Sequence, residues 1–185
     1  PLLVYTKSNF LFIIIPGDFM ETIIFLGIEG VLTNYDSIKN ISSKNIYTQF
    51  GIDINKLVLL RKLVNATNGK IVLTSSLRFE DDFKKLEMAL RTMGFIIIGK
   101  TDFMDYDKSS EIMDYIAKHN IRNYIILDSE ELSEAPEIKE HFIETPTDDG
   151  LQDYLVDEAI EMARKNGKNK ALARKRVNAS KNTNN

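Results

Sequence analysis

A chain of 185 residues, 43% hydrophobic and 28% charged, has the composition of an ordinary globular domain with enough length for a real core. The complete lack of cysteine excludes disulfides, thiolate catalysis and cysteine metal sites, and it fits a cytoplasmic setting. The net charge of −3 is unevenly spread, because residues 164–185 hold eight of the 24 Lys/Arg and none of the 27 Asp/Glu, leaving 16 basic against 27 acidic residues elsewhere. A body that acidic is a poor general surface for nucleic acid.

Residues 1–19 do not read like the rest of the chain. Phe10 to Ile15 is apolar but bracketed by Lys7, Ser8, Asn9 and Pro16, far short of the roughly 20 residues of a membrane-spanning helix. It also lacks the basic start and small-residue cleavage site of a signal peptide. Met20 stands directly before the first motif. Gly17-Asp18-Phe19 admits an encoding that places a ribosome-binding sequence just ahead of the Met20 codon. The expectation is a non-native or disordered leader over 1–19; the competing expectation is an edge strand at Phe10–Ile15.

Ile23-Ile24-Phe25-Leu26-Gly27-Ile28-Glu29-Gly30-Val31-Leu32 reads as a buried strand running into a tight turn. Thr33 to Phe50, rich in Ser and Asn, reads as a surface loop over the strand end. Asp53 caps a predicted helix to about Ala66, with Ile54, Leu57, Val58, Leu60, Leu63 and Val64 on one stripe. Lys70 to Arg78 is a second buried strand that terminates in the hydroxyls Thr74, Ser75 and Ser76. Phe79 to Met93 repeats the helical period, and Gly94 stops it. Phe95 to Ile98 is a third strand, Lys100 to Asp107 a loop, and Ser109 to His119 a helix. Asn123 to Asp128 is a fourth strand ending in an acid, His141 to Glu144 a short fifth, and Gly150 to Ala163 a last amphipathic helix. From Arg164 to Asn185 the composition predicts a basic, disordered or fraying tail, one that could contact nucleic acid. Strands alternating with helices predict a parallel sheet covered on both faces, in an α/β/α sandwich of about five strands.

Such a sheet gathers Gly27, Glu29, the Thr74-Ser75-Ser76 hydroxyls, Lys108 and Asp128 at one edge. Hydroxyls and backbone amides suit phosphoryl oxygens, a lysine offsets their charge, and an aspartate can carry Mg²⁺. His119 and His141 lack any partner pattern for metal or nucleophile work and read as structural, while Arg78 sits just past the hydroxyl strand with a choice between pocket and frame.

The ordered set resembles the haloacid dehalogenase (HAD) superfamily, and more closely the small, nearly capless HAD domain associated with Swiss Army knife RNA-repair proteins. The resemblance runs through Phe25 to Leu32, Ile71 to Arg78, Gly99-Lys100-Thr101, Lys108 to Ile112, Ile126 to Asp128 and Thr145 to Ala159, covering about residues 22–163. It implies a HAD-like Rossmannoid fold with minimal or no cap over 20–163, with sheet order third, second, first, fourth, fifth. It implies phosphate binding by Thr74, Ser75, Arg78 and Lys108, with Lys100 a competitor for the lysine role, and metal binding by Asp128 and Glu29.

The departures are as informative. The family reads apolar-Asp-x-Asp-Gly-Val-Leu, where the first Asp attacks phosphorus and the second shuttles a proton. Here those positions are Gly27 and Glu29, and Asp128 is followed by Ser129 where a second acid is expected. A mechanism through an aspartyl-phosphate needs a positioned nucleophile, and losing such a group lowers the rate by orders of magnitude. The expectation is a catalytically impaired HAD-like protein that retains a phosphate- or nucleotide-binding pocket, with Mg²⁺ binding weak or lost. An active Mg²⁺-dependent phosphatase on nucleic-acid ends or small phosphoesters, and a non-enzymatic interaction module, are the alternatives. The implied partner is a phosphorylated small molecule or a nucleic-acid end, with no membrane.

Overall fold

The computed structural model describes residues 21–182, with side chains up to Gly167. The leader over 1–19, and with it the competing edge strand, lies outside the described residues.

Five strands form one parallel sheet: β1 (Thr22–Leu26), β2 (Gly69–Leu73), β3 (Ile97–Lys100), β4 (Tyr124–Asp128) and β5 (Phe142–Glu144), in the order β3-β2-β1-β4-β5. Every residue of β1 and β4 is buried. That is the pattern of central strands covered on both faces, and it explains their near-continuous apolar sequence. Successive residues alternate between two cores. Ile24, Leu26, Ile71, Leu73, Ile125 and Leu127 face one, while Ile23, Phe25, Val72, Tyr124 and Ile126 face the other.

The first core is covered by α3 (Ile54–Thr67), α4 (Phe83–Thr92) and α7 (Asp153–Asn182), the second by α5 (Lys108–His119) and α6 (Pro136–Lys139). Helices on both faces give the three-layer α/β/α sandwich with the expected strand order. Asp53 caps α3 by accepting from the Asn55 amide at 2.8 Å.

Some boundaries differ from the sequence reading. The segment Thr33–Phe50 is not all loop; it contains α1 (Tyr35–Lys39) and α2 (Ile46–Gln49). Asn34 and Asn45 accept from the amides of Ser37 and Thr48, whose side chains reach back to the cap amides, so the polar residues that suggest a loop are capping boxes. The helix expected from Phe79 opens instead as a 3-10 turn, Ser76–Phe79, and α4 begins only at Phe83. Strand β3 starts at Ile97, two residues late. Finally, α7 does not stop at Ala163 but runs to Asn182. The stretch contains Ala, Leu, Lys and Arg, good helix formers, and no proline.

Between β1 and α3 the only regular elements are α1 and α2, a minimal cover over the sheet edge. It is pinned from the far end of the chain. The Tyr35 amide donates to the Asp148 carbonyl at 2.9 Å and the Leu151 amide to the Val31 carbonyl at 2.8 Å. Gly150 between them has φ +67°, and a side chain there would meet the Thr33 carbonyl at 2.5 Å; only glycine fits.

Candidate functional site

The sheet's hydrogen bonding continues one step past the strand ends. Gly27 donates to the Leu127 carbonyl (2.9 Å), Thr74 to Leu26 (2.9 Å), Thr101 to Leu73 (3.0 Å) and Thr145 to Asp128 (2.8 Å). These bonds hold Gly27, Thr74 and Asp128 side by side at the C-terminal edge, the customary ligand position of an open parallel sheet.

Gly27 and Asp128 share one space. A Cβ placed on Gly27 would lie 2.5 Å from Asp128 Oδ2 and 2.9 Å from its Cγ. The Asp128 carboxylate therefore occupies the volume a side chain at position 27 would enter. Lys108, the first residue of α5, holds it there: Nζ lies 3.0 Å from Oδ1 and 3.1 Å from Oδ2, and 2.7 Å from Glu130 Oε2. Burial pushes the Asp128 carboxyl above its ordinary value, against the downward pull of Lys108. For Lys108, burial works against the charge, but Asp128 and Glu130 outweigh it and its pKa rises. Lys108 therefore lies beside Asp128, while Lys100 lies exposed at the end of β3.

Glu29 points the other way. Its carboxylate accepts from the hydroxyls of Ser75 and Ser76, the latter at 2.7 Å, and its carbonyl accepts from Ser129 Oγ at 2.9 Å. Thr74 is fully buried, and its Oγ1 has no hydrogen-bond partner among the described residues. A buried hydroxyl without a partner is a destabilising feature unless a ligand completes it.

Two of the residues expected to bind phosphate are engaged elsewhere. Ser75 gives its hydroxyl to Glu29. Arg78 is buried and donates to the carbonyls of Thr101 (3.1 Å), Thr74 (2.7 Å) and Ser75 (2.8 Å), and to Glu111 Oε2 at 2.5 Å. Arg78 is a tie between the second and third strand ends rather than a pocket residue. Glu111 escapes a sequence reading because an acid on a helix is usually solvated; its only signal is its place beside Ile112 on the buried face of α5. The histidines are structural: His141 stacks on Tyr124 at 4.0 Å and His119 on Tyr115 at 4.2 Å.

The donor set does not fit Mg²⁺. Gly27 supplies no oxygen from a side chain, the Glu29 carboxylate and carbonyl are taken by serines, and the Asp128 carboxylate faces an ammonium. Among the described residues no three Asp, Glu, His or Cys side chains converge on a possible ion position. A divalent cation needs several converging oxygens that are not already neutralised.

Beside Glu29 opens a cleft of about 500 Å³, walled by Ile38, Ile41, Phe50 and Leu77 and rimmed by Glu80, Asp81 and Asp82. Its walls come from the α1–α2 cover and the 3-10 turn. No helix among the described residues is long and apolar enough to cross a membrane.

Comparison with known proteins agrees with the geometry. No curated protein and no solved structure gives a significant match. The family model described as the HAD domain in Swiss Army Knife RNA repair proteins matches residues 23–156. That span takes in all of the sheet but its first residue, the strand ends at Gly27, Thr74 and Asp128, and the start of α7, so the chain belongs to this HAD family, a group of phosphohydrolase type that generally uses Mg²⁺.

Proposed function

We propose that this chain is a catalytically impaired HAD-family protein that has kept a phosphate-binding pocket and binds, without efficient hydrolysis, a phosphorylated ligand in the cytoplasm. The observation that carries the reading is the Asp128 carboxylate lying in the space beside Gly27, clamped by Lys108. Where the family places the attacking carboxylate there is no side chain, so no aspartyl-phosphate can form at that position. The remaining chemistry is that of recognition. Lys108 is the cation for a phosphoryl group, and the unpartnered Thr74 hydroxyl is a donor waiting for an acceptor. Mg²⁺ binding is weak or lost on this reading, because the oxygens that would form its site are already bonded.

Phosphate must compete with Asp128 and Glu130 for Lys108. Calorimetric titration with inorganic phosphate should therefore show weak binding to the parent chain and tighter binding to Asp128→Asn, with Thr74→Val weakening both. Turnover of a generic aryl phosphate with Mg²⁺ should stay far below the roughly 1 s⁻¹ or more of working enzymes. Ordinary turnover by the parent chain would overturn the impairment, and no phosphate binding by either chain would overturn the pocket.

A further inference from the structure

The cleft beside Glu29 is chemically unlike the phosphate position it adjoins. Its volume of about 500 Å³ is in the range that holds a small organic group. Its wall is apolar, and Ile38 and Ile41 remain 47% and 54% exposed, more than a closed interior would leave. No lysine or arginine lines it.

The rim charges are not equivalent. Asp82 is matched by Lys85 at 2.5 Å and by Gln49 Nε2 at 3.0 Å, and Glu29 by its serines. Glu80 and Asp81 have no ion pair or side-chain hydrogen bond among the described residues, so two carboxylates face the mouth uncompensated.

We infer that this cleft binds an apolar group bearing a positive charge, such as an arylalkyl-ammonium, and not a polynucleotide; under the phosphate-binding reading above, on which the link between the two positions rests, that group is the remainder of the phosphorylated ligand. Two arguments point the same way. Each further nucleotide of a nucleic-acid end would bring a phosphate into a field of unmatched carboxylates, where a nucleic-acid groove supplies Lys and Arg. An ammonium on a short apolar stem gains from both surfaces: the stem packs on Ile38, Ile41 and Leu77, the charge meets Glu80 and Asp81, and the half-buried Phe50 ring tolerates a nearby cation.

The test is calorimetric titration of the full chain with four probes: phenethylammonium, 3-phenylpropionate, 4-(2-aminoethyl)phenyl phosphate and a 5′-phosphorylated dithymidylate. Phenethylammonium should bind about tenfold more tightly than the propionate, the scale expected of two exposed charge contacts. The aminoethyl aryl phosphate should bind more tightly than phenethylammonium or inorganic phosphate alone, and the dinucleotide most weakly. Glu80→Gln combined with Asp81→Asn should remove the preference for ammonium. Ile41→Ser, at an exposed position that leaves the fold intact, should weaken both arylalkyl probes equally. A propionate that binds as well as the ammonium, or a preference that survives the double substitution, would overturn the inference. Inorganic phosphate separates the two readings: phosphate binding without ammonium preference sinks this inference alone, and ammonium preference without phosphate binding sinks the phosphate pocket alone.

Discussion

Two buried ion pairs lie at the same edge of the sheet, and they are built for different ends. In Arg78–Glu111 the two side chains are 2% and 4% exposed, and three backbone carbonyls take further guanidinium donors. A planar fork with fixed donor directions suits that task. In Lys108–Asp128 the lysine is 15% exposed, splits its ammonium between Asp128 and Glu130, and fixes a carboxylate in a space that a missing side chain leaves beside Gly27. The first pair is saturated by the protein itself; the second has a partner that could be exchanged. A buried charge signals a site only where its bonding can be redistributed.

Breaking the saturated pair should have the largest effect. Arg78→Met would leave Glu111 buried without its counter-charge and the Thr74 and Thr101 carbonyls without their guanidinium donors, while the Ser75 carbonyl keeps the backbone amide of residue 78. A loss of about 3–5 kcal/mol is expected in urea or thermal unfolding. Adding Glu111→Met should recover much of it, since removing both partners avoids a lone buried charge. If Arg78→Met instead unfolds like the parent while phosphate binding disappears, Arg78 belongs to the pocket and the contrast between the pairs collapses.

Lys108→Met should cost less at neutral pH, about 2–3 kcal/mol, because the pair is partly wetted. Its pH dependence is the sharper test. Burial already holds the Asp128 carboxyl above its ordinary value, and removing Lys108 takes away the pull that opposes it. A carboxyl raised on folding stabilises the protonated folded form, so that contribution is fully present below the ordinary carboxyl range and disappears as pH rises through the raised value. The variant should therefore be weakest at neutral pH and approach the parent as pH falls toward 4, with phosphate binding lost throughout. A penalty that does not vary with pH would mean that Asp128 is relieved by water once Lys108 is gone. At the alkaline end the sign is set by Lys108 itself. Its raised pKa gives the parent stability that is present below about 10.5 and lost as pH climbs through the higher folded value.

The sheet was legible because its signals are periodic. Apolar runs at Ile23–Leu26, Ile71–Leu73 and Tyr124–Leu127, the first ending in Gly27 and the other two in polar residues, predict both the strands and the edge where the site lies. The resemblance gave the strand order and the pairing of Thr74, Lys108 and Asp128 at that edge. What was not legible depends on side-chain competition in three dimensions. Ser75 can hold a phosphate oxygen or Glu29, and only the reach of the longer Glu29 carboxylate decides between them. Arg78 can face a pocket or a buried acid 33 positions along the chain, and composition cannot reveal Glu111 as that acid. That Asp128 fills the space beside Gly27 is likewise a matter of packing. The capping boxes of α1 and α2 were readable in principle, as Asn34/Ser37 and Asn45/Thr48, but Ser and Thr are weaker at the third position than the usual Glu or Gln.

Gly27→Asp with Glu29→Asp probes how far the exchangeable pair can adapt. The new side chain at position 27 would run into Asp128 at 2.5 Å, so Asp128 must turn aside, and two carboxylates would then share Lys108. The contact is with the end of a side chain rather than with backbone, so a loss of about 1–2 kcal/mol is expected. If Asp128 yields, phosphomonoester hydrolysis in the presence of Mg²⁺ should rise well above the parent, and Asp128→Ala should reverse it. A folded but inert double variant would show that the clamp on Asp128 does not release.

The smallest effect is expected at the far end of α7, where the contrast between satisfied and unsatisfied surface takes another form. Leu155, Val156, Ala159, Ile160 and Ala163 are buried against the first core, and Asn166 Nδ2 lies 2.9 Å from His141 Nδ1. At Gly167 a side chain would meet nothing within 4 Å. Beyond it the sequence offers Leu172 and Val177 as its only large apolar residues among six Lys/Arg. A helical extension of that composition is held mainly by its own backbone bonds and helix-forming residues, which contribute little to the stability of the domain. Removing residues 168–185 should therefore shift the unfolding free energy by less than about 1 kcal/mol and leave phosphate binding unchanged, while the helical circular-dichroism signal falls by about one turn for every 3.6 residues removed. A sharp drop in the unfolding midpoint would mean that the basic extension docks on the domain. In that case the acidic excess of the body is the surface to search for its seat.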